Sequence, residues 1–145
     1  MNNAFTPMVS ELSMAGLEQL LAYPGSKPII HTVAEELAGF ALALPPGLDY
    51  QSLNYQWFER NVKNYFYLDR IFIAKKFQRT GLGKKIYLEL FESLKGDYQY
   101  LTCEVNLKPL NQISLDFHRK LGFKEVGQQD TDGGKKRVSL LALKL

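Results

Sequence analysis

Among the 145 residues there is one cysteine, Cys103, and one tryptophan, Trp57. A lone cysteine forms no internal disulfide, which excludes a small disulfide-held scaffold and fits a reducing, cytoplasmic setting. Long apolar runs are also missing. None approaches the about 20 residues that a membrane-spanning helix requires, so no membrane span is expected. The opening MNNAFTPMVSEL lacks the basic-then-apolar order of a secretory signal. No His, Cys, Asp and Glu set has metal-ligand spacing, so no metal is expected. Charge of one sign is scarce as well: 18 basic against 15 acidic residues leave +3, too mild a total to argue for nucleic acid. What is present is 46% hydrophobic and 23% charged. That is the balance of a soluble globular chain, long enough for one domain over 1–145 with a core of its own.

Apolar residues at helical spacing (Val9, Leu12, Leu17, Leu20, Leu21) predict a helix over 8–22, ended by Tyr23-Pro24-Gly25. Ile29–Val33 and 38–44 (AGFALAL) read as strands. The second alternates large Phe40, Leu42 and Leu44 with small Gly39, Ala41 and Ala43, so something packs close against its small face. Residues 48–63 have many aromatics and no clean period, and read as a long loop or a broken helix. Residues 64–73 (NYFYLDRIFI) are apolar on both faces, the pattern of a central strand covered on both sides. A helix follows over Gly83–Leu94, then a strand over Tyr98–Val105. A further helix runs from about Gln112 to Leu121, closed by Gly122. Phe123–Gln128 and Arg137–Leu145 flank Asp132-Gly133-Gly134 as a hairpin.

The stretch Ile71–Leu94 carries the most chemistry. A strand runs through Lys75-Lys76-Phe77-Gln78-Arg79-Thr80-Gly81-Leu82-Gly83-Lys84-Lys85 straight into a helix. Glycines at such a turn let successive backbone N–H groups converge on an anion, and the helix start adds its own donors. Lys75, Lys76, Arg79, Lys84 and Lys85 lie here without an acid among them. Together these features describe a pyrophosphate site; the alternative is a solvated basic turn. The spacing fits neither a Walker loop, since Lys85 and Ile86 follow Gly83-Lys84, nor a dinucleotide fingerprint, which wants a third glycine where Ile86 stands.

The spacing Ile73-x-x-x-x-Gln78-x-x-Gly81-x-Gly83 resembles the acetyl-CoA-binding motif of the GNAT superfamily of N-acetyltransferases. The stretch 101–126 resembles a second GNAT motif, with Asn111, Ser114, Phe117, His118, Gly122 and Phe123 in its places. The resemblance covers about Pro28 to Leu145. Within it FYLDRIFI, TCEVN and the Phe117-His118 pair are similar to a bacterial subgroup of predicted acetyltransferases. It implies an α/β (α+β) fold with a mixed, mostly antiparallel sheet and helices on both faces. It also implies roles. The backbone of Ile71, Phe72 and Ile73 would pair with the pantetheine arm of acetyl-CoA. The amides of Gln78, Arg79, Thr80, Gly81, Leu82, Gly83 and Lys84 would hold the pyrophosphate. Asn111, Ser114 and Phe117 would line the other wall. Against the superfamily the chain is short at its N-terminus, which leaves Ile29–Val33 as a bare sheet edge. Either a homodimer covering that edge or a late start of the chain is expected.

Acetyl transfer to an amine needs a base, because an alkylammonium has a pKa of about 10.4, and donors for the oxyanion. Glu104 matches the position of the general base in some GNAT enzymes; the alternative is a solvent-facing strand carboxylate. Asp69 is a second acidic candidate, or else a buried carboxylate satisfied by hydrogen bonds. Strand alternation sends Arg70 to the other face, so the two are not expected to pair. His118 stands where the superfamily usually has a tyrosine acid, and either donates a hydrogen bond to the leaving thiolate or merely packs. Cys103 reads as core, His31 as isolated. Tyr50, Tyr55, Trp57 and Phe58 either wall an acceptor pocket or pack their loop onto the sheet. The function expected is acetyl transfer from acetyl-CoA to a primary amine on a small molecule or peptide, by direct attack in a ternary complex. The rivals are a non-catalytic acyl-CoA-binding module, a transferase of longer acyl groups, and a basic domain that contacts nucleic acid through 75–85.

Overall fold

The computed structural model of the chain describes residues 14–145. Their helices are α1 (Met14–Leu21), α2 (Leu53–Asn61), α3 (Leu82–Leu94) and α4 (Gln112–Leu121). The strands are β1 (Lys27–Val33), β2 (Glu36–Leu44), β3 (Tyr65–Ile73), β4 (Tyr100–Lys108), β5 (Lys124–Thr131) and β6 (Lys136–Lys144). They form one six-stranded sheet in the order β1-β2-β3-β4-β6-β5. The β1/β2, β4/β6 and β5/β6 pairs are antiparallel and β3/β4 is parallel, which makes the mixed, mostly antiparallel α/β architecture expected. The part of the 8–22 helix before Met14 lies outside the described residues. Among those described, no helix is long and apolar enough to cross a membrane. The chain divides into two compact units, one of residues up to Pro45 with Leu68–Ser93, the other of Pro46–Tyr67 with Leu94–Leu145.

In the first unit β1 and β2 are joined through Ala34 and Glu35, both at positive φ (51° and 67°), as a two-residue hairpin turn demands. β1 ends the strand order and leaves Ile30 and Val33 exposed. β2 is buried from Ala38 to Leu44. The close approach expected at its small face is made by α3. A Cβ on Gly39 would lie 3.0 Å from Ile86 Cδ1 and 3.1 Å from Leu82 Cδ2. Ile86, Tyr87 and Leu90 of α3 are buried, each contributing roughly 1.5–3 kcal/mol. Phe40, one residue on and so on the other face, meets Phe72 of β3 at 5.7 Å between ring centroids. His31 is not isolated as expected: its Nε2 lies 2.9 Å from Glu89 Oε1.

In the second unit Tyr65–Tyr67 of β3 pair with Tyr100–Thr102 of β4, and β4 pairs along its length with β6. The segment 48–63 resolves into an ordered helix rather than a long loop. Ser52 caps α2, its side chain accepting from Tyr55 N at 3.2 Å. Only Tyr55 and Phe58 of this helix are buried, too few positions to show a period. Both pack on the β3 face that carries Tyr65 and Tyr67. Trp57 lies over Gly127 of β5, where a Cβ would come within 2.4 Å of the indole. The sheet makes room there with a register shift between Glu125 and Gly127. Three of the four aromatics singled out in 48–63 thus pack the segment down. Tyr55 also shares a recess with Asp49, Tyr50 and Glu59, where Glu59 already accepts from Gly47 N at 2.7 Å.

Candidate functional site

In the first unit the strand-to-helix turn lies where the anion site is expected. After β3, Ala74 N donates to Ala38 O at 2.8 Å, and Gln78 Nε2 reaches back to Ile73 O at 3.2 Å. The side chain of Gln78 therefore closes the turn, and its own N–H is spent on Lys75 O at 3.3 Å, which removes it from the amides expected to meet the pyrophosphate. Arg79 and Gly81 both sit at positive φ, 64° and 86°. Left-handed residues between right-handed or extended ones turn successive N–H groups toward one side, the geometry of an anion nest. A Cβ on Gly81 would meet nothing within 4 Å, so glycine stands here for its φ and not for space inside the chain. Lys85 N bonds to Gly81 O at 3.0 Å. The amides of Leu82, Gly83 and Lys84 open α3, and first-turn amides have no intrahelical acceptor. The first turn carries no acid. Of the local cations, Lys76 is paired with Glu36; Lys75, Arg79, Lys84 and Lys85 are exposed.

Asp69 and Arg70 overturn the alternation argument. Arg70 Nε lies 3.1 Å from Asp69 Oδ2, with side chains only 12% and 5% exposed. Alternation fixes where the Cβ atoms point, but the long arginine stem can fold back past the strand, and a poorly hydrated carboxylate draws it there. The contact is an ion pair rather than an aligned hydrogen bond. Ile71, Phe72 and Ile73 follow directly on β3, Phe72 buried and its neighbours half-buried.

The second unit holds the other residues. Glu104 on β4 is half-buried and is not merely a solvent-facing carboxylate: its Oε1 accepts a hydrogen bond from the hydroxyl of Tyr67. Cys103, on the opposite strand face, is 4% exposed, as a core residue is. Asn111 is the N-cap of α4, its Oδ1 accepting from Ser114 N at 3.2 Å. Gly122, at φ 110°, ends the helix. Within α4, His118 is buried, and its Nδ1 lies 2.7 Å from Ser114 O and 3.3 Å from Ser114 Oγ. A carbonyl only accepts, so Nδ1 carries the proton, and in the neutral ring Nε2 is then an acceptor. Burial holds the imidazole below its ordinary pKa of 6.5, against a smaller upward pull from Ser114. A neutral ring of this tautomer has no Nε2 proton to give a thiolate, which weighs against His118 as the acid. Phe117 is half-buried beside it, ring centroids 5.5 Å apart.

The sequence reading missed Tyr67. Its only signal was a hydroxyl in a strand otherwise filled with apolar side chains, and nothing in one chain's order links residue 67 to residue 104.

A strand-to-helix turn on a mixed sheet, followed by a strand carboxylate and a capped helix, stands in the order that the sequence resemblance implies. The family model of the Acetyltransferase (GNAT) family matches residues 2–123; the chain belongs to that family. It is 30% identical over 116 residues to a probable spermine N(1)-acetyltransferase of Bacillus subtilis subsp. natto, covering 79% of this chain and 70% of the relative. It is 29% identical, over the same shares, to a spermine/spermidine N(1)-acetyltransferase of Bacillus subtilis. In fold it is similar to the ribosomal-protein-S18-alanine N-acetyltransferase of Escherichia coli, at TM-score 0.69 and 20% identity over 93% of this chain and 78% of that one. It is also similar to a GNAT acetyltransferase of Elizabethkingia anophelis solved with acetyl-CoA bound, at TM-score 0.67 and 16% identity over 92% and 84%.

Proposed function

We propose that the protein transfers an acetyl group from acetyl-CoA to a primary amine, with Glu104 as the base. The observation that carries this reading is the state of Glu104: a half-buried carboxylate on β4 with Oε1 held by the hydroxyl of Tyr67. The turn of 79–84 supports the cofactor assignment. Its main chain would take the pyrophosphate, and Ile71–Ile73 would pair with the pantetheine arm as an added strand. Asn111, Ser114 and Phe117 are the further cofactor-binding residues that the resemblance implies. The polyamine substrates named for the Bacillus relatives make spermine and spermidine the first acceptors to test.

The chemistry runs in one direct attack. Glu104 removes a proton from the bound ammonium, and the freed amine attacks the thioester carbonyl. Main-chain amides near Phe72 and Ile73 would stabilise the oxyanion. CoA leaves as a thiolate, which takes up the proton that the attacking nitrogen sheds as the amide forms. A thiol pKa of about 8.5 makes it a tolerable leaving group without a strong acid, consistent with a neutral His118. Asp69, engaged by Arg70, is better suited to holding that strand segment than to accepting a proton.

Glu104→Gln should lower kcat by about 10²–10⁴-fold with the KM for acetyl-CoA nearly unchanged. Steady-state kinetics with spermidine measures both. A variant that keeps full kcat removes Glu104 from the mechanism.

A further inference from the structure

Glu104 does not hold its own orientation. It projects from a strand, a carboxylate on a short flexible stem, and a base must meet its proton at hydrogen-bond distance to work. The group that fixes it is Tyr67, 1% exposed, whose hydroxyl donates to Glu104 Oε1. Tyr67 is itself fixed from the other side. Tyr55 of α2 stands edge-on to its ring at 5.4 Å and Phe58 lies at 5.8 Å. Tyr65, two residues earlier on the same strand face, is engaged elsewhere, its hydroxyl 3.4 Å from Glu59 Oε2. The two tyrosines of this face thus serve two separate carboxylates, and α2 packs on both rings.

We infer that Tyr67 is a positioning residue of the acetyl-transfer reaction: by holding Oε1 it fixes the orientation of the Glu104 carboxylate that takes the acceptor's proton. This rests on the proposed role of Glu104 as base. A buried phenol that served packing alone would need some hydrogen-bond partner, but that partner need not be the carboxylate on which turnover depends. The aromatic packing gives α2 a part in the chemistry that its outward position in the sequence does not suggest.

Tyr67→Phe keeps the ring contacts and removes only the donor. It should fold with a thermal midpoint near that of wild type and leave the KM for acetyl-CoA unchanged. Its kcat with spermidine should fall roughly tenfold, within the hundredfold that a misplacement of about 1 Å can cost. The deficit should shrink with a fluorinated alkylamine of low basicity, which arrives already neutral and needs the base less. In a Glu104→Gln background, Tyr67→Phe should have no further effect on kcat, because there is no base left to position. In the wild-type protein the Tyr67 hydroxyl proton should give a downfield NMR resonance that Glu104→Ala abolishes. The inference is overturned by an unchanged kcat in Tyr67→Phe, by a deficit equal for all amines, by additive effects in the double variant, or by absence of that resonance. Full activity of Glu104→Gln would instead bring down the function reading itself.

Discussion

At His118, a main-chain carbonyl 2.7 Å from Nδ1 and a buried ring settle which nitrogen carries the proton. The consequence shows first in stability. The folded protein holds His118 below pH 6.5 in its titration while the unfolded chain leaves it near 6.5, so the unfolded state binds more protons over the interval between. Stability from this residue is therefore complete above about pH 6.5 and is lost as pH falls through the folded-state value, at up to about 1.4 kcal/mol per pH unit. Urea unfolding between pH 5 and 7.5 should show this slope in the wild type and a shallower one in His118→Phe. The same substitution should leave kcat within a few-fold of wild type from pH 7 to 9, since the neutral ring supplies no acid. A strong loss of kcat would return His118 to the mechanism. Residue identity at 118 was legible from the sequence through its place in the second motif. Its tautomer was not, because that depends on a carbonyl one helical turn away. Nor was the Asp69–Arg70 pair, since alternation describes Cβ directions and not the reach of a guanidinium.

Among the elements, α3 and α4 were readable nearly to the residue. α3 has an apolar stripe at regular spacing, and α4 has Asn111 at its start and Gly122 at its end, signals that act within a few residues. α2 was legible only as one of two alternatives, a broken helix or a long loop, because its stability comes from partners elsewhere: Tyr55 and Phe58 on β3, Trp57 on β5, and Gln129 Nε2 donating to Asn54 at 3.1 Å. Gly127 is the element-scale test of that packing. With 2.4 Å between a Cβ and the indole, Gly127→Ala must push Trp57 aside. The expected cost is about 1–3 kcal/mol, the usual range for overpacking. Trp57 is the only tryptophan, so its emission should shift in the folded variant. An unshifted spectrum with full stability would mean that α2 is not held where it lies.

For the molecule as a whole, binding of acetyl-CoA is the quantity that joins fold to function. At a concentration 100-fold above Kd, a ligand that binds only the folded state adds about 2.7 kcal/mol, which for a chain of this size raises Tm by roughly 5–10 °C. Glu104→Gln should keep the whole of that shift. Replacing Gly81 and Gly83 together by valine should abolish it, since a β-branched residue resists the φ of 86° at Gly81 and side chains would crowd the turn's amides. A preserved shift in that double variant would exclude 79–84 as the pyrophosphate site.

The strand order also sets an order of assembly. Asp130 and Arg137, which pair across the β5–β6 hairpin, are 7 residues apart in sequence, while Phe66 and Thr102, bonded across β3 and β4, are 36 apart. Closing the longer loop forfeits more chain entropy before any contact compensates for it, and parallel pairings form slowly for that reason. The hairpin should therefore be in place early in folding and the β3–β4 ladder late. The Tyr67–Glu104 contact spans 37 residues and lies next to that ladder. A newly made chain would thus acquire the contact that orients Glu104 among the last of its contacts.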